Sequence, residues 1–228
     1  EKRIMAQMKK DLRLPALPQH IECFDNSNFQ GSNPVAACVV FKRGKPAKKE
    51  YRKFNIRTVT GPDDFASMEE VVYRRYKRLL KEDQRLPQLI VIDGGKGQLS
   101  SALNSLDRLG LRGKISIIGI AKRLEELYYP DDPIPLYLDK TSETLKVLQH
   151  LRNEAHRFGI TFHRQKRSKE AIDSFLATIP GVGEKTVETL LTTFKSPSRL
   201  KKASFTDISA VIGPHRAQKV MDYFQNFS

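Results

Sequence analysis

Two aspartates stand where a chain of this composition could do chemistry. Asp25 follows the apolar run Ile21–Phe24, and Asp93 follows the fully apolar run Leu89–Ile92. Runs of that kind are buried strands, and the carboxyl ends of neighbouring strands are where an open sheet gathers reacting groups. Two carboxylates brought together there offer hard oxygen donors to Mg²⁺ or Mn²⁺, which can activate water and offset charge on a scissile phosphate. Each aspartate also has a plainer reading, as the residue that starts a turn before Asn26-Ser27-Asn28 or before Gly94-Gly95. His156 is the third candidate, at the polar edge of an apolar helical stripe. It could ligate a metal or give a proton to a leaving oxygen, or be a solvated histidine without a role.

The elements that must position these residues follow from periodicity. Ile21–Phe24, Val35–Phe41 and Glu50–Ile56 suggest a three-strand meander, with a turn at Gly44-Lys45-Pro46. Gly61-Pro62-Asp63-Asp64 opens a helix whose apolar stripe is Phe65, Met68, Val72, Tyr76 and Leu79. Leu89–Ile92, the helix of Leu99, Ala102, Leu103, Leu106 and Leu109, and the strand Ile115–Ile120 form a parallel crossover. Residues 128–138 carry three prolines and suit a loop or hairpin. Leu145, Leu148, Leu151, Ala155 and Phe158 then mark a further long helix, which carries His156. A mixed sheet flanked by helices in this order is the layout of the ribonuclease H fold, an α/β class.

The basic stretch HRQKRSK at 163–169 separates the sheet-rich part from an all-helical tail. That tail repeats a short unit, Ile179-Pro180-Gly181-Val182-Gly183 and Val211-Ile212-Gly213-Pro214-His215, each ahead of a helix. Such hairpins present backbone N–H groups at a helix start, where phosphate is bound without reading base identity. The DNA-contact candidates are Gly181, Val182, Gly183 and Lys185 in the first unit, and Gly213, His215 and Arg216 in the second. The second unit has His215 where the first has Gly183. The expected domains are a leader and linker at 1–19, a ribonuclease H-like domain at 20–163, a basic linker at 164–173 and a tandem helix-hairpin-helix domain at 174–228.

Composition narrows the partners. The net charge is +14 over 228 residues, which predicts attraction to a polyanion. No apolar run approaches the roughly 20 residues of a membrane span, so nucleic acid is expected and membrane is not. The two cysteines, Cys23 and Cys38, lie in apolar runs and suit a reducing cytoplasm, with neither a disulfide nor a zinc site. Glu1–Arg13 has neither an initiator Met nor a signal-peptide core, as expected of a cut inside a longer gene product. Gly94-Gly95-Lys96-Gly97 lacks the spacing of a nucleotide-binding phosphate loop. It is read instead as a close-approach turn beside a DNA strand, with Lys96 either clamping a phosphate or merely solvated.

Four segments together carry a resemblance: IECFDNSNFQG at 21–31, TGPDDFASM at 60–68, LIVIDGGKGQL at 89–99 and NEAHRFGITFHRQKR at 153–167. In that order they resemble the signatures of the UvrC family, and the helical tail fits its C-terminal half. The resemblance implies a ribonuclease H-like, metal-dependent endonuclease that cuts on the 5′ side of a DNA lesion, with Asp25, Asp93 and His156 as catalytic triad and metal ligands. It implies damaged double-stranded DNA as substrate, UvrB and a UvrA-loaded complex as partners, and the absence here of the GIY-YIG nuclease that makes the 3′ cut. Asp64 falls on an acidic position of the family pattern and either supports the metal from the rim or caps its helix. Alternatives of other classes are a catalytically silent nucleic-acid-binding module, and a related resolvase or RNA-cleaving enzyme of the same fold.

Overall fold

The computed structural model describes residues 1–27, 34–59, 63–121 and 126–226, with backbone alone at 27, 162–175 and 197. Asn28 and the Gly61-Pro62 helix opening lie outside the described residues. The chain divides into two compact units, Glu1–Phe162 and His163–Ser228.

In the first unit the sheet begins with β1 (His20–Ser27) and β2 (Val35–Lys42), paired antiparallel from His20↔Lys42 to Ser27↔Val35. A third, interrupted strand follows on the far side of β2. β3 (Lys45–Pro46) pairs with its end, a 3₁₀ turn at Lys48–Glu50 intervenes, and β4 (Arg52–Asn55) pairs with its start. This is the expected meander with one break. β5 (Leu89–Asp93) lies parallel to β1, and β6 (Ser116–Ile120) lies parallel to β5. β7 (Leu127–Tyr128) turns back against the end of β6, so the order is β3-β2-β1-β5-β6-β7 with β4 beside β2.

Alternation along the central strands sorts side chains onto two faces. Ile21, Cys23, Leu89, Val91, Ile118 and Ile120 face one core with Leu148, Leu151 and Ala155 of the long helix α4 (Glu143–Ala177). Phe24, Ile90, Ile92 and Ile117 face the other, against α2 (Asp64–Lys81) and α3 (Lys96–Arg108). The result is helix, sheet, helix in three layers.

The amino-terminal leader belongs to this unit instead of standing apart as a linker. α1 (Lys2–Asp11) sends Met5 and Met8 into the α4-side core, and Leu12 and Leu14 follow them. The apolar spacing within a lysine-rich helix suffices to bury one narrow stripe. At α2, Asp63 is the cap, accepting from Ala66 N–H at 3.0 Å, so the capping role considered for Asp64 belongs to its neighbour. Phe65 departs from the expected stripe: it is 55% exposed, whereas Met68, Val72, Tyr76 and Leu79 are buried.

The basic stretch 164–173 is helical and lies within α4. Its Arg, Lys, Glu and Ala favour helix, and no proline interrupts the chain before Pro180. In the second unit, α4 ends at Ala177 and a hairpin leads to α5 (Glu184–Phe194). α6 (Pro197–Lys202) connects to α7 (Phe205–Ile212), and a second hairpin leads to α8 (Pro214–Asn226). Leu176, Val182, Leu190, Leu200, Ile208, Ala217 and Val220 form its own core. No helix of the described residues is long and apolar enough to cross a membrane.

Candidate active site

β1 does not stop at Asp25. The strand continues to Ser27, and Asp25 is paired with Ala37 in mid-ladder, so the turn-former reading does not hold at this position. Asp93 is the last residue of β5, and Gly94 N–H then donates to the Ile120 carbonyl at 2.9 Å. Because Phe24 pairs with Ile92, Asp25 and Asp93 come next to each other one step further along the parallel pair. Both follow, at two residues, side chains of the α4-side core, Cys23 and Val91, so both carboxylates lie on the α4 face of the sheet.

The two carboxylates are buried, at 3% and 6% exposure. Their field is felt by Cys23 beneath them: burial, then the charges of Asp93 and Asp25, push its thiol well up, while Arg152 pulls it slightly back. A cysteine so placed stays a protonated core residue, and Cys23 and Cys38 are both free and buried. From α4, His156 reaches over the carboxylates with Nδ1 3.4 Å from Asp25 Oδ2, and its side chain remains 52% exposed. The structure thus sets Asp25 beside Asp93 on neighbouring strands and brings His156 within 3.4 Å of Asp25.

A clamp that sequence reasoning missed holds α4 at that point. Glu154 accepts from Tyr51 Oη at 2.9 Å and from Arg157 Nε and Nη2 at 2.8 and 2.7 Å. The Arg157 hydrogen bonds, then that of Tyr51, outweigh burial and hold the Glu154 carboxyl down at about 2. Phe158 packs edge-on against Tyr51, with ring centroids 5.1 Å apart. His156 sits between Glu154 and Arg157, so its height over the sheet follows from this network. The signal available in sequence was a Glu and an Arg three residues apart on one helix face.

Asp64 is exposed at the start of α2, and its carbonyl accepts from Asn26 Nδ2 at 2.9 Å, which ties that helix start to the residue after Asp25. Lys96 is exposed at the start of α3, with Nζ 5.3 Å from the centre of the Tyr128 ring. Gly94 makes the turn between Asp93 and Lys96 at φ +152°, where a Cβ would stand 2.4 Å from Gln98 Cγ. Among the described residues, no three His, Cys, Asp or Glu side chains are grouped as a ready cation cage. The donor chemistry still fits a hard divalent ion, because two adjacent carboxylates suffice where water and phosphate oxygens complete the shell.

In the tail, Gly181 turns the first hairpin at φ +86° and Gly213 the second at φ +85°. Gly183 heads α5 with no side chain to cap it, and Lys185, His215 and Arg216 are exposed beside the hairpins. Val182 has a buried side chain and an N–H that donates to the Ile179 carbonyl at 3.0 Å, so it shapes the hairpin. Lys219 Nζ braces the same turn through the Pro180 carbonyl at 2.9 Å.

Residues 9–160 match the model of the UvrC RNAse H endonuclease domain, and residues 174–228 match the helix-hairpin-helix motif. The chain belongs to the UvrC family. It is 73% identical over 98% of its length to the UvrABC system protein C of Flavobacterium johnsoniae, and 72% identical over 97% to that of Flavobacterium psychrophilum. It spans 37% of the length of each of these UvrC relatives. Among solved structures, Ciona intestinalis endonuclease V bound to inosine-containing DNA aligns with 67% of this chain and 65% of its own, at 18% identity and a TM-score of 0.35. The ribonuclease H-like assignment rests on the UvrC family match and the sheet order.

Proposed function

We propose that this chain is the metal-dependent endonuclease and DNA-binding part of an excision nuclease, hydrolysing one DNA strand on the 5′ side of a lesion. The observation that carries the reading is the convergence of two buried carboxylates, side by side on parallel strands, with His156 3.4 Å from one of them. Like charges set together in a buried position favour a cation between them. A Mg²⁺ or Mn²⁺ ion held there would supply charge neutralisation at the phosphate and a bound water of lowered pKa.

The chain's own groups have separable tasks in this reading. Asp25 and Asp93 hold the ion, with Asp64 on the rim of the same pocket. Donation of Nδ1–H to Asp25 fixes the His156 ring and leaves Nε2 for proton exchange at the leaving oxygen. Exposed Lys96 holds a flanking phosphate. The hairpins at Gly181, Gly183 and Gly213, with Lys185, His215 and Arg216, bind duplex phosphates without reading sequence. The family's partners UvrB and UvrA deliver the damaged site, in keeping with the name of these relatives, UvrABC system protein C.

The test is Asp25→Asn and Asp93→Asn in the full-length protein, reconstituted with its partners on a defined lesion. Incision on the 5′ side is expected to vanish in both while DNA affinity holds, and His156→Ala is expected to lose at least about a hundredfold in rate. Near wild-type incision by either Asp variant refutes the site, and a silent wild type with intact binding returns the chain to a binding module.

A further inference from the structure

Phe65 is a large apolar side chain that the helical pattern of α2 assigns to the core and the structure leaves 55% exposed. Its ring is nonetheless fixed in place. The ring edge rests on Gly97, where an added Cβ would stand 2.5 Å from Phe65 Cζ and 2.6 Å from Cε1, so any larger residue at 97 would push the ring away. Gly97 lies four residues beyond Asp93. Asp64, the residue before Phe65, is held through its carbonyl by Asn26, the residue after Asp25. The ring is therefore seated where the end of β1, the start of α2 and the start of α3 meet, at the strand-end edge of the sheet from which Asp25 and Asp93 turn to the α4 side.

Single exposed apolar residues are ordinary and need no role. The company of this one is different: an aromatic face beside the exposed cation Lys96, on the same sheet edge as the two carboxylates, in a chain of net charge +14. Lys96 itself lies over the ring of Tyr128, so aromatic and cationic groups alternate along this rim. Aromatic faces interleaved with cations are the chemistry that holds unpaired nucleic acid, since every base has a π-face and each phosphate needs a positive partner.

We propose that Phe65 is a base-stacking residue. Its ring takes the face of an unpaired nucleobase next to the phosphate at the carboxylate site, and Lys96 takes the phosphate of the same strand. Stacking fixes the strand in the mouth of the site without choosing a sequence. What the strand is held for rests on the nuclease reading above, whereas the stacking contact itself does not.

The chain contains no tryptophan, so Phe65→Trp introduces a single indole at the position in question. The variant is titrated with a short fluorescein-labelled oligothymidylate, reading indole emission and oligonucleotide anisotropy together. Emission is expected to be quenched in step with binding. Phe65→Ala is expected to bind the oligonucleotide roughly 5- to 100-fold more weakly at an unchanged melting temperature, Phe65→Tyr to restore binding, and Phe65→Leu, which keeps bulk without a π-face, not to restore it. Unmoved emission with the oligonucleotide bound, or Phe65→Leu binding as wild type does, overturns the proposal. The second result would instead favour an apolar protein segment as the occupant. Quenching together with a full-length protein that, reconstituted with its partners, never nicks lesion DNA with any divalent ion would reject the nuclease reading and leave stacking supported.

Discussion

Replacing Glu22 separates what holds the sheet from what works at its edge. Glu22 is fully buried on the α2 face of β1, three residues before Asp25. It accepts from Arg75 Nε and Nη2 at 3.0 and 2.8 Å and from Tyr76 Oη at 3.0 Å, and it contacts His20 Nε2 at 2.8 Å. Burial alone would raise its carboxyl, but the hydrogen bonds of His20 and Arg75 and the Arg75 charge outweigh it and hold the group at about 2. Glu22→Gln leaves the Arg75 guanidinium, with 10% of its side chain exposed, without its counter-charge. Breaking such a pair from one side costs about 3–5 kcal/mol, or roughly 6–20 °C in melting temperature for a domain of this size.

The pH dependence has a fixed sign. A carboxyl that titrates at about 2 when folded and at 4.5 otherwise contributes about 3 kcal/mol, present in full above its unfolded value and lost as pH falls towards its folded one. By pH 3 about 2 kcal/mol of that has gone, and a protonated Glu22 resembles Gln. The gap between wild type and Glu22→Gln is therefore expected to be widest near neutrality and to narrow by about 2 kcal/mol at pH 3. Urea unfolding followed by circular dichroism at both pH values measures it. A cost below about 1 kcal/mol at neutral pH, or a gap that does not change with pH, refutes the reasoning. Incision per folded molecule should survive, which no substitution at Asp25 should allow.

Deleting Ser174–Ser228 is expected to weaken duplex binding and flatten its salt dependence, with about 0.9 lost from the slope of log K on log salt for each phosphate contact removed. Gly181→Asp with Gly183→Asp should reproduce part of that loss, and an unchanged slope in both would return the hairpins to a packing role. Residues 163–228 hold eleven Lys and Arg against six Asp and Glu, so the sheet unit stays basic and some binding should remain after the deletion. Limited proteolysis in 163–173 should leave two resistant fragments, each with its own core; joint degradation of both would argue against separate domains. Asp93→Asn removes one of two adjacent like charges, so the metal-free melting temperature should hold or rise, and the roughly 1.4 kcal/mol that Mg²⁺ adds at ten times its Kd should disappear. A wild-type melting temperature indifferent to Mg²⁺ and Mn²⁺ would remove the cation from the site.

The parts of the fold legible in sequence are those where one residue type decides the outcome locally. Leu89–Ile92 is apolar without alternation because both faces of β5 are buried, and that run announces a central strand by itself. The stripe Leu145, Leu148, Leu151 and Ala155 is as plain for α4. The end of β1 was not legible. Asn26 and Ser27 are polar and look like a turn, yet their backbones pair with Ala36 and Val35, and ladder pairing depends on the partner strand more than on side-chain hydropathy. Phe65 was misread for a related reason, since periodicity cannot say where a helix's first turn leaves the core. Glu22–Arg75 joins residues 53 apart, and Tyr51–Glu154 residues 103 apart; pairings at that range follow only from the packed sheet. The candidate site residues came from four short signatures, whose individual residues, taken alone, have ordinary structural explanations.

One strand shows why the two kinds of buried carboxylate call for different explanations. Along β1, Glu22 and Asp25 are an odd number of residues apart, so the pleat sends them to opposite faces. On the α2 face, Glu22 meets a guanidinium whose two N–H groups match its two oxygens, and the charge is settled within the fold. On the α4 face, Asp25 comes next to the following strand's Asp93, one step beyond the Phe24↔Ile92 pair, and the Cys23 thiol beneath is raised first by burial and then by these two carboxylates. A fold that needed only stability would place on the second face what it has on the first. Keeping two acids together costs stability in the isolated chain, and under the proposed function that cost is offset when a cation and a phosphate bind. That asymmetry within a single strand is the physical ground for the proposal that Asp25 does chemistry while Glu22 serves the scaffold.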